Sequence, residues 1–259
     1  FAAPTSTFLA TGGGANGERS FTLPRAPGEL TAAFLERFCT HSEFSAGHPL
    51  ALFLFLPAPT AADSVLRNRY LAGIPHSWLI EDNDLPGSGG AILLSISGAT
   101  LHPFNLAGRT AGWYWEDARG RHLVAGGQTE ARRDGGPELE IAALYALLDA
   151  ALINAGFAFP DIWRTWHYHD RILDWYDDFN RIRTEHFNRH DMFHRLVPAS
   201  TGIGATVPDG PRAVVTLRAC RPAPDVTFVA APSPLQCPAP AYGSSFSRGV
   251  EMHAGTAHH

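Results

Sequence analysis

The sequence predicts an α+β fold: a mixed β-sheet with helices packed on one face. Three observations carry that expectation. Apolar runs of strand length are bounded by glycine and proline, and two longer stretches show helical periodicity. From residue 91 to 219 these alternate as strand, strand, helix, strand, helix, strand, the order of a split β-α-β unit. With 259 residues and 45% hydrophobic content, the chain can bury one large core or two modest ones.

Taken in order, Gly12-Gly13-Gly14 marks a turn, and Gly28 to Phe38 reads as a helix. Ala51 to Leu56 is a buried strand, Pro57 to Ala62 a turn, and Gly87 to Gly90 a flexible connector. Ala91 to Ser97 and Trp113 to Glu116 are strands, the second followed by a turn at Asp117 to Gly120. The clearest helix starts at Pro137, carries Glu138 and Glu140 in its first turn and ends at Gly156. Ile141, Leu144, Leu148, Leu152 and Ala155 form its core-facing stripe. Ile162 to His169 is a strand. Strict alternation sends Ile162, Arg164, Trp166 and Tyr168 one way and Trp163, Thr165, His167 and His169 the other.

A second helix spans about Ile172 to His190, burying Ile172, Trp175, Phe179, Ile182 and His186. Pro198 to Gly204 is a turn-rich loop or short strand, where Gly202 and Gly204 permit a tight turn or a close ligand approach. Arg212 to Ala219 is a strand stopped by Pro222 and Pro224, and Ala230 to Pro240 is a proline-rich linker. The chain restarts at Tyr242 to Arg248. It opens on Phe1 and stops at His258-His259 with no helix stop or terminal strand, so both ends read as cut.

Composition excludes several functions. The net charge is −5, which argues against a nucleic-acid or anionic-membrane partner. The longest apolar run, Leu50 to Pro57, is too short to span a bilayer. All 20 positive residues are arginine, so Schiff-base, P-loop and other lysine chemistries are absent from this sequence. An anionic substrate must be held by arginine, whose planar fork suits carboxylates. Cys39, Cys220 and Cys237 show no metal spacing, and an odd count reads as free thiols in a cytoplasmic protein.

The stretch His122 to Gln128, the helix ending at Gly156, Ile162-Trp-Arg-Thr-Trp166, Asp178-Phe-Asn180, the Pro198 loop and Val214 to Arg218 together resemble the Rid (YjgF-like) reactive-intermediate deaminases. Rid proteins carry an arginine in the proline loop and a glutamate on the last strand. Here the loop reads Pro198-Ala-Ser-Thr201 and the strand offers Thr216, so imine deamination is not implied. A narrower set accounts for both departures: Arg164 to Tyr168, Tyr176 to Arg183, Pro198 to Ala205, and Ser233-Pro-Leu-Gln236 through Phe246-Ser-Arg248. These resemble the chorismatases, which are similar to two Rid-like modules in one chain, the first degenerate. The implied division is an N-terminal extension over 1–85, a degenerate module over 86–225, and a linker with the start of a second module over 226–259.

That resemblance implies release of pyruvate from chorismate, with no metal or organic cofactor. Protonating the enolpyruvyl methylene gives an oxocarbenium ion, and a buried carboxylic acid can supply the proton. Water attack then yields a dihydroxycyclohexadiene carboxylate, whereas rearrangement and aromatisation yield a hydroxybenzoate. The compact Cys237 to Arg248 stretch favours 3-hydroxybenzoate. By the family pattern Arg183 and Arg248 fork the substrate carboxylates, while Tyr176 and Tyr242 donate hydroxyls. Arg164 either reaches the pocket or orients the Pro198 loop. Tyr176 and Arg183, seven apart, share a helical face about 10 Å apart along the axis. The family's catalytic glutamate lies near the end of the second module, and no residue up to His259 takes that role. The resemblance also implies a homotrimer.

Two other functions fit parts of the sequence. His186, His190 and His194 are spaced for one helical face, as in a metal-dependent hydrolase, although no His-Glu-x-x-His base accompanies them. The missing arginine and glutamate of the first module fit a non-catalytic Rid-like binding protein.

Overall fold

The computed structural model describes residues 7–9, 17–80, 89–128, 136–208, 211–255 and 257–258. Two sheets pack face to face, and each has helices on its outer side. The first sheet contains β1 (Thr7–Leu9), β2 (Gly17–Pro24), β3 (His48–Leu56), β4 (His76–Ile80) and β5 (Gly90–Ser97), in the order β1-β2-β5-β3-β4. Its helices are α1 (Thr31–Cys39), the short α2 (Ser42–Ser45) and α3 (Ala61–Leu71). The second sheet contains β6 (His102–Leu106), β7 (Arg109–Asp117), β8 (Gly120–Gln128), β9 (Ile162–His169), β10 (Ala199–Gly204) and β11 (Ala213–Pro222), in the order β10-β9-β11-β8-β7-β6. It carries α4 (Pro137–Asn154) and α5 (Tyr176–Arg189). A small third sheet joins β12 (Val226–Ala230), β13 (Val250–Ala254) and β14 (Ala257–His258).

Alternation along β3 shows how the layers form. Leu52, Leu54 and Leu56 pack with Phe34, Leu35 and Phe38 of α1, while Ala51 and Phe53 face the second sheet. In that sheet Val124 and Val214 meet the first unit, whereas Leu123, Ala125, Val215 and Leu217 pack against α4 and α5. The two outer cores and the inter-sheet core are therefore set by side-chain period. The expected mixed sheet with helices on one face is present in β6–β11 with α4 and α5. Its other face is closed by the first sheet.

Several expectations change in detail. Gly90–Ser97, placed by sequence at the start of the central module, pairs with β2 and β3 of the first sheet. Ala61 and Ala62, read as the end of a turn, open α3 instead, and Thr60 and Asp63 form a reciprocal capping box there. Within the Pro198 to Gly204 stretch, Ala199–Gly204 is an edge strand, parallel to β9. Neither Gly202 nor Gly204 has positive φ, so neither makes a tight turn. A Cβ on Gly204 would come within 3.2 Å of Ile172, so close approach explains that glycine.

The second helix begins only at Tyr176, because Arg171 is left-handed (φ 45°) and Ile172–Asp174 forms a 3-10 turn. In β9 a register shift opposite Arg218 and Ala219 places Ile162 in the helix-side core, on the same side as Thr165 and His167. This overturns strict alternation with Arg164 and Trp166. The Gly12–Gly14 turn and residues 87–88 of the Gly87–Gly90 connector lie outside the described residues.

Candidate functional site

On the helix-facing side of β9, Thr165, His167 and His169 stand in a row beneath α4 and α5 and are all buried. The parallel pairing of β10 puts Ser200 opposite Thr165, and the two hydroxyls bond at 3.0 Å. Ser200 Oγ also lies 3.3 Å from His167 Nδ1, and Tyr145 Oη of α4 lies 3.5 Å from His167 Nε2. His167 and His169 stack with ring centroids 5.8 Å apart. Burial pushes the His169 imidazole down to about 3, assisted by the Arg183 charge, and drives His167 well below its usual range. Both rings are thus neutral at ordinary pH. Neither nitrogen of His169 has a hydrogen-bond partner among the described residues.

Into this row α5 delivers Arg183, which is only 3% exposed. One guanidinium nitrogen donates to Asn180 Oδ1 at 2.7 Å, and the group lies over the Phe179 ring at 4.7 Å. Its Nε has no partner, and no carboxylate among the described residues pairs with it. The aspartates at 177 and 178 are not its partners; Asp178 instead lies near Arg181 at 3.7 Å. Tyr176 shares the helix face but is 38% exposed, and Phe179 stacks against it at 6.3 Å. Phe179 therefore packs against both side chains.

The remaining sequence-derived positions fall into two further groups. Arg248 donates to Tyr242 Oη at 3.1 Å, and both are exposed. Arg164 donates to Thr201 Oγ1 at 2.6 Å and lies over Trp166 at 4.6 Å. Trp166 packs with Phe53 of the first sheet, so Arg164 is on the opposite face of the sheet from Arg183. Its contact to β10 is the loop-orienting alternative. The residues 244–247 link the groups, because Ser245 Oγ meets Thr184 Oγ1 at 2.6 Å and Ser247 pairs by backbone with Pro198 and Ser200. Arg183 and Arg248 are thus each one residue away from the contacts that join α5 and β10 to this segment.

Sequence reasoning missed Tyr145 and Ser200 as members of the row. Tyr145 sits beside the Ile141–Leu148 stripe, but its meeting with His167 depends on tertiary packing. The three-histidine face is also corrected. Asp191 is left-handed (φ 57°) and ends α5, so His194 lies on a 3-10 turn paired with Asp191 at 2.6 Å. His186 and His190 instead meet Asp149 of α4, at 3.2 and 2.9 Å from its Oδ2. Burial opposes the Asp149 charge, but the two imidazoles outweigh it and hold the carboxyl below its ordinary range.

A separate cavity of about 370 Å³ lies between the α3–β4 connection and the β6–β7 hairpin, with Arg67, His76 and Arg109 on its walls. None of the five sequence-derived positions lines it. The chemistry-bearing row therefore defines the candidate site, and volume alone does not. No described helix is long and apolar enough to cross a membrane.

No family model matches the chain, and no curated protein matches it by sequence. Among solved structures, a chorismatase matches 99% of this chain and 68% of its own, with TM-score 0.55 and 16% identity. Shorter matches include the protein YJGH, at 21% identity over 48% of this chain and 98% of that one, TM-score 0.38. Another is E. coli TdcF with bound serine, at 14% identity over 46% and 92%, TM-score 0.37. The molecule is an α+β protein of two face-packed sheets flanked by helices. It has the fold of a solved chorismatase over nearly its whole length, as the motifs from Arg164 to Arg248 implied.

Proposed function

We propose that this chain is a chorismatase that releases pyruvate from chorismate. The observation that carries the reading is Arg183: a buried, permanently charged guanidinium with, among the described residues, an unpartnered Nε and no paired carboxylate. A buried charge without a counter-ion is strongly unfavourable. A ligand carboxylate satisfies it with a bidentate, charge-assisted pair. Chorismate is a dianion, and the Arg248–Tyr242 pair at the adjoining segment supplies a second cation and a hydroxyl for its other carboxylate. Arg164 acts through Thr201 by holding β10 in place.

In this reading the arginines orient the substrate while a carboxylic acid protonates the enolpyruvyl methylene, and none of the five positions is that acid. The oxocarbenium ion loses pyruvate after water attack or after ring rearrangement, the latter giving the favoured 3-hydroxybenzoate. In this scheme the degenerate Rid-like module runs to residue 225 and starts after Gly90–Ser97, which pairs in the first sheet with the N-terminal extension, and 226–259 is a linker with the start of a second module. On the same reading a cytoplasmic protein that assembles as a homotrimer is expected, and light scattering tests the trimer.

Incubation of the full-length protein with chorismate, with pyruvate followed by a coupled assay and the ring product by mass, tests the function. Pyruvate together with a hydroxybenzoate or a dihydroxycyclohexadiene carboxylate supports it and identifies the branch. Folded protein that neither turns over nor binds chorismate overturns it.

A further inference from the structure

Between the same two helices, Asp149, His186 and His190 bring one ligand atom each to within 4.8 Å of one another. His186 and His190 are four apart at the end of α5, so their imidazoles share a face, and packing against α4 supplies the carboxylate. His186 is 4% exposed, yet its Nε2 lacks an aligned hydrogen bond despite lying 3.2 Å from Asp149 Oδ2. A buried imidazole nitrogen aimed at a carboxylate oxygen without bonding to it calls for another partner. His190 and Asp149 are partly open to solvent, which leaves room for a water.

We infer that Asp149 Oδ2, His186 Nε2 and His190 Nε2 form a binding site for one divalent transition metal of the zinc class. Two imidazoles and a carboxylate with an open fourth position are a recurrent zinc donor set. Tetrahedral bonds of about 2.0–2.1 Å put donor atoms about 3.3 Å apart, close to the 3.2 and 2.9 Å that separate the two imidazoles from Asp149 Oδ2, and all three donor atoms lie within 4.8 Å. The carbonyl end of α5 points toward His190 and favours a cation there. Tyr145 stacks on His186 at 4.9 Å, so the ion would lie behind the row that holds Arg183 and clip α4 to α5. This inference is independent of the chorismate reading.

The test is titration of the chelator-stripped full chain with zinc, read by calorimetry and thermal shift, and with cobalt, read by its visible d–d bands. The expected result is one strong site per chain, an upward shift in Tm and a tetrahedral or five-coordinate cobalt spectrum. His190→Asn and Asp149→Asn each weaken binding at least about tenfold while far-UV circular dichroism is unchanged. No binding by the wild type, or wild-type affinity in either variant, overturns the site. If both variants misfold, the wild-type cobalt spectrum decides: an octahedral, aquo-like spectrum overturns it.

Discussion

Arg183 concentrates the conflict between stability and function at a single residue. Its guanidinium is buried against Phe179 and hydrogen-bonded to Asn180, with no counter-charge among the described residues, so the folded protein carries a desolvation cost there. Arg183→Met keeps the apolar stem and removes the charge. Stability in urea is expected to hold or rise by about 1–3 kcal/mol. Chorismate affinity is expected to fall at least about a hundredfold, as for loss of one partner of a buried charge pair. A destabilised variant that binds chorismate normally would assign Arg183 a purely structural role. The neighbouring His169 gives a pH signature. Its folded pKa of about 3 lies below the unfolded value of about 6.5, so above that upper value neither state binds the proton and the shift contributes nothing. As pH falls below about 6.5, the unfolded chain takes up protons that the folded chain refuses. Stability then declines by up to about 1.4 kcal/mol per pH unit for this residue until pH nears 3. His169→Phe, packed like the original against Phe179 and Trp175, is expected to lose less stability between about pH 7 and pH 5. Parallel pH curves for variant and wild type would reject this account.

At the scale of elements, what was legible followed local signals. The stripe from Ile141 to Leu152, opened by Pro137, defined α4 because one face of that helix meets the core and the other meets water. The run Ile162 to His169 was found as a strand, but the register shift opposite Arg218 that turns Ile162 depends on a partner strand and has no local mark. The Thr60-x-x-Asp63 capping box did signal α3, and the proline at 57 masked it. In the site, Arg183 and its helix face were legible from spacing and family motif. Tyr145, Ser200 and Asp149 were not, because each joins through packing between elements far apart in sequence. One such join can be tested. Glu140, 2% exposed in the first turn of α4, accepts the Arg212 backbone N–H at 2.5 Å and faces its guanidinium at 3.5 Å. It thereby anchors the helix start to the entry of β11. Glu140→Gln keeps the shape and removes the charge, and is expected to cost about 1–3 kcal/mol in chemical denaturation. A change under about 0.5 kcal/mol, the usual span for a surface substitution, would show that the anchor is incidental.

At the scale of the whole molecule, stability depends on how the two sheets are joined. The outer cores each belong to one unit, but the inter-sheet core is shared: Leu50, Ala51 and Ile96 from the first sheet meet Trp115 and Val124 from the second. A second patch pairs Phe53 and Leu79 with Tyr168 and Val214, and the Arg218–Glu18 ion pair and the Ile80–Thr206 bridge add polar links. Trp115 is fully buried at the first patch and stacks on His122, which Asp117 holds at 2.9 Å. Because that ring fills space claimed by both sheets, its removal weakens the joint while leaving each outer core intact. Trp115→Ala is therefore expected to cost about 3–5 kcal/mol, as for other large aromatic truncations in cores. It should also change the form of unfolding. In the wild type, tryptophan fluorescence and far-UV circular dichroism should report one coincident urea transition, since neither unit can open without exposing the shared core. In the variant the two transitions should separate, because the first unit keeps the Phe34–Phe38–Leu54 core that needs nothing from the second. Coincident transitions with a small shift in midpoint would mean that the sheets are held by the Phe53–Tyr168 patch and the polar links, and that the Trp115 patch only fills space.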